Sequence, residues 1–268
     1  MFITRTISGA VLLALTILMV VLGGSWLLCF VTAVALIGIF ELYRAFGMEK
    51  TPFAWIGYVG TAGIAAVLAA GRADLILMVI AAAFLVEMAA YVFTYPKHHA
   101  SEVTPAVFGL IYVPLMLSFI YRTRTAQDGT YTVWLIYISA WGADTCAYLV
   151  GRAIGKHKMA PVLSPKKSIE GAVGGVAGAA VIGAVYGFIF RGSLTEFTNP
   201  AAFCALIGAC GSLISMVGDL AASAVKRDHQ IKDYGKLIPG HGGIMDRFDS
   251  IIFTAPVIFY LVSFLQAM

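Results

Sequence analysis

Residues 200–227 read PAAFCALIGACGSLISMVGDLAASAVKR, an apolar run whose one acid is Asp219. A helix needs about 20 mostly apolar residues to cross a bilayer, so this run predicts a spanning helix. A polar set shares one face of that helix, because its members recur every three or four residues. The members are Ser212, Ser215, Asp219, Ser223 and Lys226. Lipid cannot solvate a carboxylate, so this face must contact protein or a wet cavity; the alternative is that Asp219 pairs with a neighbouring helix for packing alone.

The composition of the whole chain agrees with a membrane setting. Of its 268 residues, 60% are hydrophobic and only 12% are charged. A soluble domain carries about 25% charged residues because its surface must be hydrated. The low charge excludes an ordinary soluble protein, and the high apolar content excludes a disordered chain. We therefore expect an all-α, polytopic bundle of transmembrane helices in a lipid bilayer.

Nine segments are long and apolar enough to be spanning helices. They cover approximately residues 7–22, 25–46, 53–70, 75–95, 106–121, 131–153, 171–190, 200–227 and 246–267. The seventh segment has small residues at four-residue spacing, namely Gly171, Gly175, Ala179 and Gly183. Such a stripe lets neighbouring helices approach closely.

The positive charges predict an orientation. With nine spans, all of the 18 Lys and Arg residues except Arg72, Arg122, Arg124 and Arg191 lie on the side of the N-terminus. Because positive loops stay in the cytoplasm, the N-terminus is expected inside and the C-terminus outside. The net charge is +4. We attribute the positive residues to membrane orientation, because of their distribution among the loops, and we expect no nucleic-acid partner.

The charges also divide the chain into two functional halves. They are scattered at first and then concentrate in two cytoplasmic connections, residues 151–170 and 226–247. We expect residues 1–130, with about five helices, to be a transmembrane scaffold. Residues 131–268, with about four helices, are expected to be the catalytic half.

Three further acids lie in predicted spans. Asp144 belongs to a polar face of the sixth span, where it is either a site residue or a structural partner of Arg152. That face comprises Tyr137, Trp141, Asp144, Tyr148 and Arg152. Glu41 and Glu87 have no second polar residue marking a face, so we expect packing roles or contacts in a homodimer, and the homodimer itself stays open.

Carboxylates converge at the start of the last predicted helix. Asp246 and Asp249 are i, i+3 neighbours near a helix N-terminus, whose dipole favours their ionised form. Together with Asp219 they are hard oxygen ligands suited to Mg²⁺. Helix capping by Asp246 is the alternative, and it explains one acid but leaves Asp249 without a reason.

The connections near these acids are rich in cations and glycine. Residues 226–243 combine lysines with four glycines, whose backbone N–H groups can approach an anion closely. Residues 164–171, SPKKSIEG, add two lysines at the same predicted membrane face. Cations, glycines and carboxylates together predict a site for a metal and a polyphosphate. His241 either makes a structural hydrogen bond or contacts phosphate.

The run from Ser223 to Asp249, SAVKRDHQIKDYGKLIPGHGGIMDRFD, closely resembles the signature of phosphatidate cytidylyltransferases, also called CDP-diacylglycerol synthases. Residues 144–152, DTCAYLVGR, and residues 164–171 also look like segments of that family. The likeness in length and layout extends over the whole chain.

This resemblance implies that CTP reacts with phosphatidic acid to give CDP-diacylglycerol and pyrophosphate, with Mg²⁺ required. A second, monovalent cation is left open. The catalytic candidates are Asp144, Asp219, Lys226 and Asp246; the substrate-binding candidates are Lys166, Lys167, Ser223, Arg227, Lys232, Asp233, His241 and Arg247; the metal candidates are Asp219, Asp246 and Asp249. The site is expected at the cytoplasmic face of the cell membrane.

Two other functions stay open at this stage. A CTP-dependent polyprenol or phytol kinase would transfer the γ-phosphate to an alcohol and release CDP. An ion-coupled transporter would use the acids of the sixth and eighth spans as ion sites, but transporters often have two repeated halves. Polarity confined to one end of the chain favours an enzyme at the membrane surface.

Overall fold

The computed structural model describes residues 2–267, with side chains from residue 6 onward. Over that range the regular structure consists of nine helical segments and two short strands. The helices are α1 (Phe2–Leu22), α2 (Gly24–Ala45), α3 (Pro52–Ala69), α4 (Ala73–Thr94), α5 (Ala100–Thr125), α6 (Gly129–Ile154), α7 (Ile169–Ile189), α8 (Pro200–Asp228) and α9 (Met245–Gln266). The strands are β1 (Lys158–Ala160) and β2 (Ser164–Ser168).

Each of the nine predicted spans coincides with one of these helices. Within the described part of the chain, 8 helices are long and apolar enough to cross a membrane, and the apolar helix Thr6–Leu22 is shorter. Large apolar side chains cover the outside, as with Leu77, 75% exposed, and Phe93, 87% exposed. The predicted polytopic helical membrane bundle is confirmed, while the orientation of its termini stays a prediction.

The sequence did not predict the strands. β1 and β2 pair antiparallel, with Lys158 opposite Ser168 and Ala160 opposite Ser164. The N–H of Ile169 then donates to the carbonyl of His157 at 2.9 Å, where the chain enters α7. The cationic connection between α6 and α7 is therefore an ordered hairpin within the helical fold.

The chain packs into two compact units. The first unit contains the residues up to Tyr121 together with His229–Arg247. The second contains Arg122–Asp228 and the residues from Phe248 onward. Residues 229–244, which we call the glycine-rich loop, thus pack with the N-terminal helices. The predicted scaffold and catalytic halves were functional assignments, and they stay predictions.

In the first unit, α2, α3 and α5 meet around Tyr43, which is fully buried. Its hydroxyl donates to the carbonyl of Ala106 at 2.7 Å. Gly57 and Gly109 make room for the ring, because a Cβ at either position would collide with it. A buried hydroxyl costs free energy unless it is hydrogen-bonded, so this bond favours the packing of α2 on α5.

In the second unit, the small residues of α7 allow close packing against α6 and α8. The buried residues of α7 are Gly171, Gly175, Ala179, Gly183 and Gly187. A Cβ on Gly171 would lie 2.8 Å from the carbonyl oxygen of Ala147 in α6, and one on Gly183 would collide with the carbonyl oxygen of Cys204 in α8. The predicted stripe is confirmed as a packing face on both sides of α7.

Helix α6 is not a regular α-helix. A π-helical turn, Ile138–Gly142, lies just before Asp144. Such a turn holds more residues than an α-helical one and shifts the faces on either side of it. Tyr137 is accordingly buried, whereas Tyr148 is 63% exposed. The continuous polar face predicted for α6 therefore needs correction, because it is interrupted before Asp144.

The packing of α7 generates a test. We expect Gly183→Ala to lower the free energy of unfolding by about 1–3 kcal/mol, because its Cβ would press on the backbone of α8. Gly192→Ala is the matched control, since a Cβ there meets nothing within 4 Å. Thermal unfolding in detergent measures both variants, and equal stability of the two would contradict this packing.

Candidate functional site

The polar face of α8 is turned into the second unit. Ser212 and Ser215 are fully buried and Ser223 is nearly so, whereas Leu213 and Val217 are each 53% exposed. The serines therefore contact protein and the leucine and valine form the outer surface. The predicted division of this helix into a polar and an apolar face is confirmed.

Asp219, in the middle of that face, forms an ion pair with Lys167 of β2. The two side chains are partly accessible, at 26% and 22%. The hydroxyl of Ser223 points at Oδ1 of Asp219 from one turn further along α8, at 3.5 Å. Because side chains alternate along a strand, Lys167 turns inward while Lys166 is exposed. The hairpin thus delivers one cation to the acid of a spanning helix.

Glu170 and Ser168 anchor the hairpin at the start of α7. The carboxylate of Glu170 accepts the backbone N–H of His157 at 3.2 Å and lies 2.6 Å from its Nδ1. The hydroxyl of Ser168 caps α7 by accepting the N–H of Gly171 at 3.1 Å. These bonds hold the ends of the hairpin, so the position of Lys167 is set by the fold.

Asp249 of α9 completes a charged cluster in the second unit. It is only 9% exposed, and its Oδ1 accepts the N–H of Ser250 at 2.7 Å. It interacts electrostatically with two other acids, Asp219 and Asp144, and with the cation of Lys226. Three carboxylates predicted from separate helices are therefore electrostatic neighbours, with lysines beside them.

A cavity of about 370 Å³ opens at this cluster. Its lining consists of Asp144, Ala147, Tyr148, Gly151, Arg152, Met159, Lys166, Lys167, Ser168, Gly171, Ala172, Met216 and Asp219. Cations and acids form part of the wall, and alanine, methionine and tyrosine form the rest. A site with both kinds of wall suits an amphiphile that carries an anionic group.

The first unit holds the second group of predicted residues, on the glycine-rich loop. Its tip is a type II β-turn: the N–H of His241 donates to the carbonyl of Ile238 at 2.9 Å, with Pro239 and Gly240 between them. Gly240 has φ 76°, a value that this turn requires and that glycine adopts without strain. The N–H of Ile238 returns to the carbonyl of Gly242 at 2.9 Å, which closes the tip.

Asp246 fastens the loop from the first turn of α9. Its Oδ2 accepts the backbone N–H of Tyr234 at 2.8 Å and that of Gly243 at 2.9 Å. With only 9% of the residue exposed, these are buried, charge-assisted bonds. Both N–H groups belong to the loop and not to the first turn of α9, so these bonds are not the helix capping of the alternative. Its role as a metal ligand stays a prediction.

A polar cavity of about 440 Å³ borders the loop. Its lining consists of Lys232, Asp233, Gly235, Lys236, Ile238, Gly240, His241, Gly242 and Arg247. His241 places Nδ1 2.9 Å from the hydroxyl of Ser8, and that hydroxyl donates to the carbonyl of Pro239 at 2.9 Å. His241 therefore packs on α1, and its contact with phosphate stays a prediction. Arg227, at the end of α8, is exposed.

The sequence analysis did not predict that two side chains of α2 form hydrogen bonds with the backbone in and next to this loop. Glu41, 3% exposed, accepts the N–H of Met245 at 2.9 Å. Arg44, one turn later, donates to the carbonyl of Tyr234 at 2.6 Å. Glu41 and Met245 are 204 positions apart, so no local pattern marks them. Glu87, in contrast, is fully buried without a hydrogen-bond partner among the described residues.

The donor set bears on the predicted metal. Over the described residues, no three His, Cys, Asp or Glu side chains form a group that could hold a metal ion by themselves. Mg²⁺ does not need such a cage, since proteins usually bind it through one or two carboxylates, water and substrate phosphates. The neighbouring carboxylates of Asp219 and Asp249 fit that pattern.

Comparisons with known proteins agree with these features. A family model described as "Cytidylyltransferase family" matches residues 3–265. A phosphatidate cytidylyltransferase of Staphylococcus aureus (strain COL) is 31% identical over 260 residues, which are 95% of this chain and 96% of that protein. One of the same name from Synechocystis is 41% identical over 128 residues, 48% of this chain and 42% of that protein. The lipid kinase and transporter alternatives are not favoured.

The hydrogen bonds of Asp246 generate a test that needs no substrate. Asp246→Ala leaves two buried N–H groups without their acceptor, at a cost of about 1–3 kcal/mol each. We expect the amides of Tyr234 and Gly243 to exchange with deuterium about tenfold faster or more, since 1.4 kcal/mol is a factor of ten. Mass spectrometry of loop peptides measures the exchange. Asp233→Ala is the control, as an exposed acid of the same loop, and equal exchange in both variants would contradict the assignment.

Proposed function

The chain belongs to the cytidylyltransferase family, and we propose that it makes CDP-diacylglycerol and pyrophosphate from CTP and phosphatidic acid in phospholipid biosynthesis. The observation that supports this most directly is the cavity of the second unit. There Lys167 and Asp219 pair beside apolar walls, which is the combination that a membrane lipid with a phosphate headgroup requires. The names of the relatives support the same choice of substrates.

The reaction joins two anions. A phosphate oxygen of phosphatidic acid attacks the α-phosphorus of CTP. The new P–O bond forms as the bond from the α-phosphorus to the β-bridging oxygen breaks, and pyrophosphate leaves with that electron pair. Like unit charges 4 Å apart repel by about 4 kcal/mol at an effective dielectric of 20. The protein must offset this repulsion with cations and stabilise the charge that builds up on pyrophosphate.

The cavity of the second unit suits the lipid. Lys166, Lys167 and Arg152 offer charge to its phosphate, and Met159 and Met216 offer apolar contact. Lys226 stands beside the carboxylates, where it can hold an anion close to the reacting phosphorus. The acyl chains need not leave the bilayer, so a lateral approach costs no exposure of apolar surface to water.

The polar cavity of the first unit suits the triphosphate. Lys232, Lys236 and Arg247 line it, together with three glycines whose backbone allows close approach to an anion. In this assignment Asp233 and His241 orient the nucleotide by hydrogen bonds. Ser223 and Arg227 belong to the second unit, and we assign them contacts with phosphate oxygens there. The walls contain Ile238 as their one apolar side chain, so a lipid tail has no matching surface here.

Mg²⁺ is the proposed metal, held by Asp219 and Asp249, with Asp144 as an orienting charge. When bound, it would supply positive charge to the phosphate oxygens. Asp246 is a further candidate ligand, and a second, monovalent cation stays open. In this structure the carboxylate of Asp219 forms an ion pair with Lys167. A phosphate that drew Lys167 away would make that carboxylate available to the metal.

We also propose the setting of the enzyme. The distribution of Lys and Arg supports a multi-pass protein of the cell membrane, with its site on the cytoplasmic side. CTP is a cytoplasmic nucleotide, so this orientation gives the site access to its substrate. We propose no nucleic-acid partner, and the homodimer stays open.

The position of the label in the products tests the proposed reaction. Purified protein in mixed micelles with phosphatidic acid receives CTP labelled in the α- or the γ-phosphate. We expect the α-label in the lipid fraction and the γ-label in pyrophosphate. A γ-label in the lipid, with CDP as the other product, would assign a kinase. No label in the lipid from either substrate would contradict an enzyme of this kind.

The metal assignment is tested at the carboxylates. We expect Asp219→Asn and Asp249→Asn each to weaken Mn²⁺ binding, used in place of Mg²⁺, by about tenfold or more, a loss typical of metal-site substitutions. Asp228→Asn is the matched control, because this acid ends the same helix α8 and is exposed. Electron paramagnetic resonance of free Mn²⁺ measures the affinity. Unchanged binding in both variants, at unchanged thermal stability, would show that these acids do not hold the metal.

A further inference from the structure

We propose that Glu41 is a positioning residue that holds the glycine-rich loop in its nucleotide-binding shape. It lies in α2, far from the family-like segments of the sequence, and does not line the cavity of the loop. This inference rests on the proposed function, because it assigns the loop to the triphosphate of CTP. It adds a residue of the predicted scaffold to the machinery of binding.

The first support is the burial of its carboxylate against backbone. Glu41 is 3% exposed and accepts the N–H of Met245, the first residue of α9, at 2.9 Å. A first-turn N–H has no partner within its own helix, so Glu41 satisfies a donor that would otherwise be unpaired. The negative charge also lies at the positive end of the helix dipole, which is its favourable end.

The second support is the fit of the loop around Glu41. Gly235 and Gly243 both pack on its carboxylate, and a Cβ at either position would collide with it. Gly235 lies near the middle of the loop and Gly243 near its end, and the Cα of Gly243 lies 2.8 Å from where a Cβ of Gly235 would be. Two segments of the loop backbone therefore pack on the same carboxylate. Gly235 and Gly243 are therefore needed for a steric reason, which is separate from any contact with an anion.

The third support is a second contact from the same face of α2. Arg44 follows Glu41 by three residues and donates to the carbonyl of Tyr234 at 2.6 Å. The N–H of that same Tyr234 donates to Asp246. Both backbone groups of Tyr234 are thus held by charged side chains, immediately before Gly235. Lys232 and Lys236 flank this fixed point and line the polar cavity.

A positioning role predicts a specific kinetic pattern. We expect Glu41→Ala to raise the KM for CTP about tenfold or more, because the loop must then be ordered at the expense of binding free energy. The KM for phosphatidic acid should stay unchanged. Glu41→Gln keeps the volume and one acceptor oxygen, so it should recover most of the affinity. Steady-state kinetics with each substrate varied in turn measure this pattern.

The matched control is Glu87→Ala. Glu87 is also a buried acid of the first unit, but it has no hydrogen-bond partner in the described structure. We expect the KM values of the Glu87→Ala variant for both substrates to match those of the unmodified protein. Trypsin provides a readout without substrate, since cleavage after Lys232 and Lys236 should accelerate in Glu41→Ala and not in Glu87→Ala. Equal behaviour of the two variants in both assays would overturn the proposal.

A double-mutant cycle tests the contact itself. Gly243→Ala should raise the KM for CTP strongly when Glu41 is present, because its Cβ meets that carboxylate. In the Glu41→Ala background the obstruction is gone, so the same substitution should have a much smaller effect. Additive effects would overturn the steric part of the proposal. If the unmodified protein does not turn over CTP, the proposed function fails instead, and trypsin cleavage still decides whether Glu41 holds the loop.

Discussion

An ionised carboxylate in a spanning segment needs polar partners inside the protein, because hydrocarbon offers neither water nor counter-ions. In the second unit, Asp219 meets this requirement with Lys167, which the β-hairpin carries to it. In the first unit, Asp246 and Glu41 meet it with backbone N–H groups. The hairpin and the glycine-rich loop are therefore shaped by acids of the spanning helices. These are also the two segments whose chemistry suits anions.

The ion pair of Asp219 and the backbone hydrogen bonds of Asp246 and Glu41 differ in how easily they can be broken. The ion pair of Asp219 is about a quarter exposed, and ion pairs in contact with water contribute little free energy. Another cation or anion can replace its members at low cost. The bonds of Asp246 and Glu41 are buried, and leaving such N–H groups unpaired costs about 1–3 kcal/mol each. The side chain of Lys167 is thus suited to move toward a ligand, and the loop to keep one shape.

What the sequence predicted follows from local periodicity. Nine spans, the small-residue stripe of α7 and the polar face of α8 depend on residues three or four positions apart, so each can be recognised from its own segment. The π-helical turn before Asp144, the pairing of Lys167 with Asp219, and the role of Glu41 were not predictable in this way. The last two depend on contacts between distant parts of the chain, and for Glu41 the partner is 204 residues away.

Mixed charge, rather than positive charge alone, is what the proposed reaction requires. In that reaction, cations would offset the repulsion between the two substrates and the charge on the leaving pyrophosphate, and carboxylates would hold the metal. A lysine paired with an acid contributes to an incoming phosphate only as it leaves that acid. Lys167 is in this position, held by Asp219. In the proposed assignment, its charge becomes available to the phosphate of the lipid as that phosphate draws Lys167 away from Asp219. Charged residues make up only 12% of this chain, and in the proposed mechanism the pair of Lys167 and Asp219 supplies both a cation for phosphate and a carboxylate for the metal.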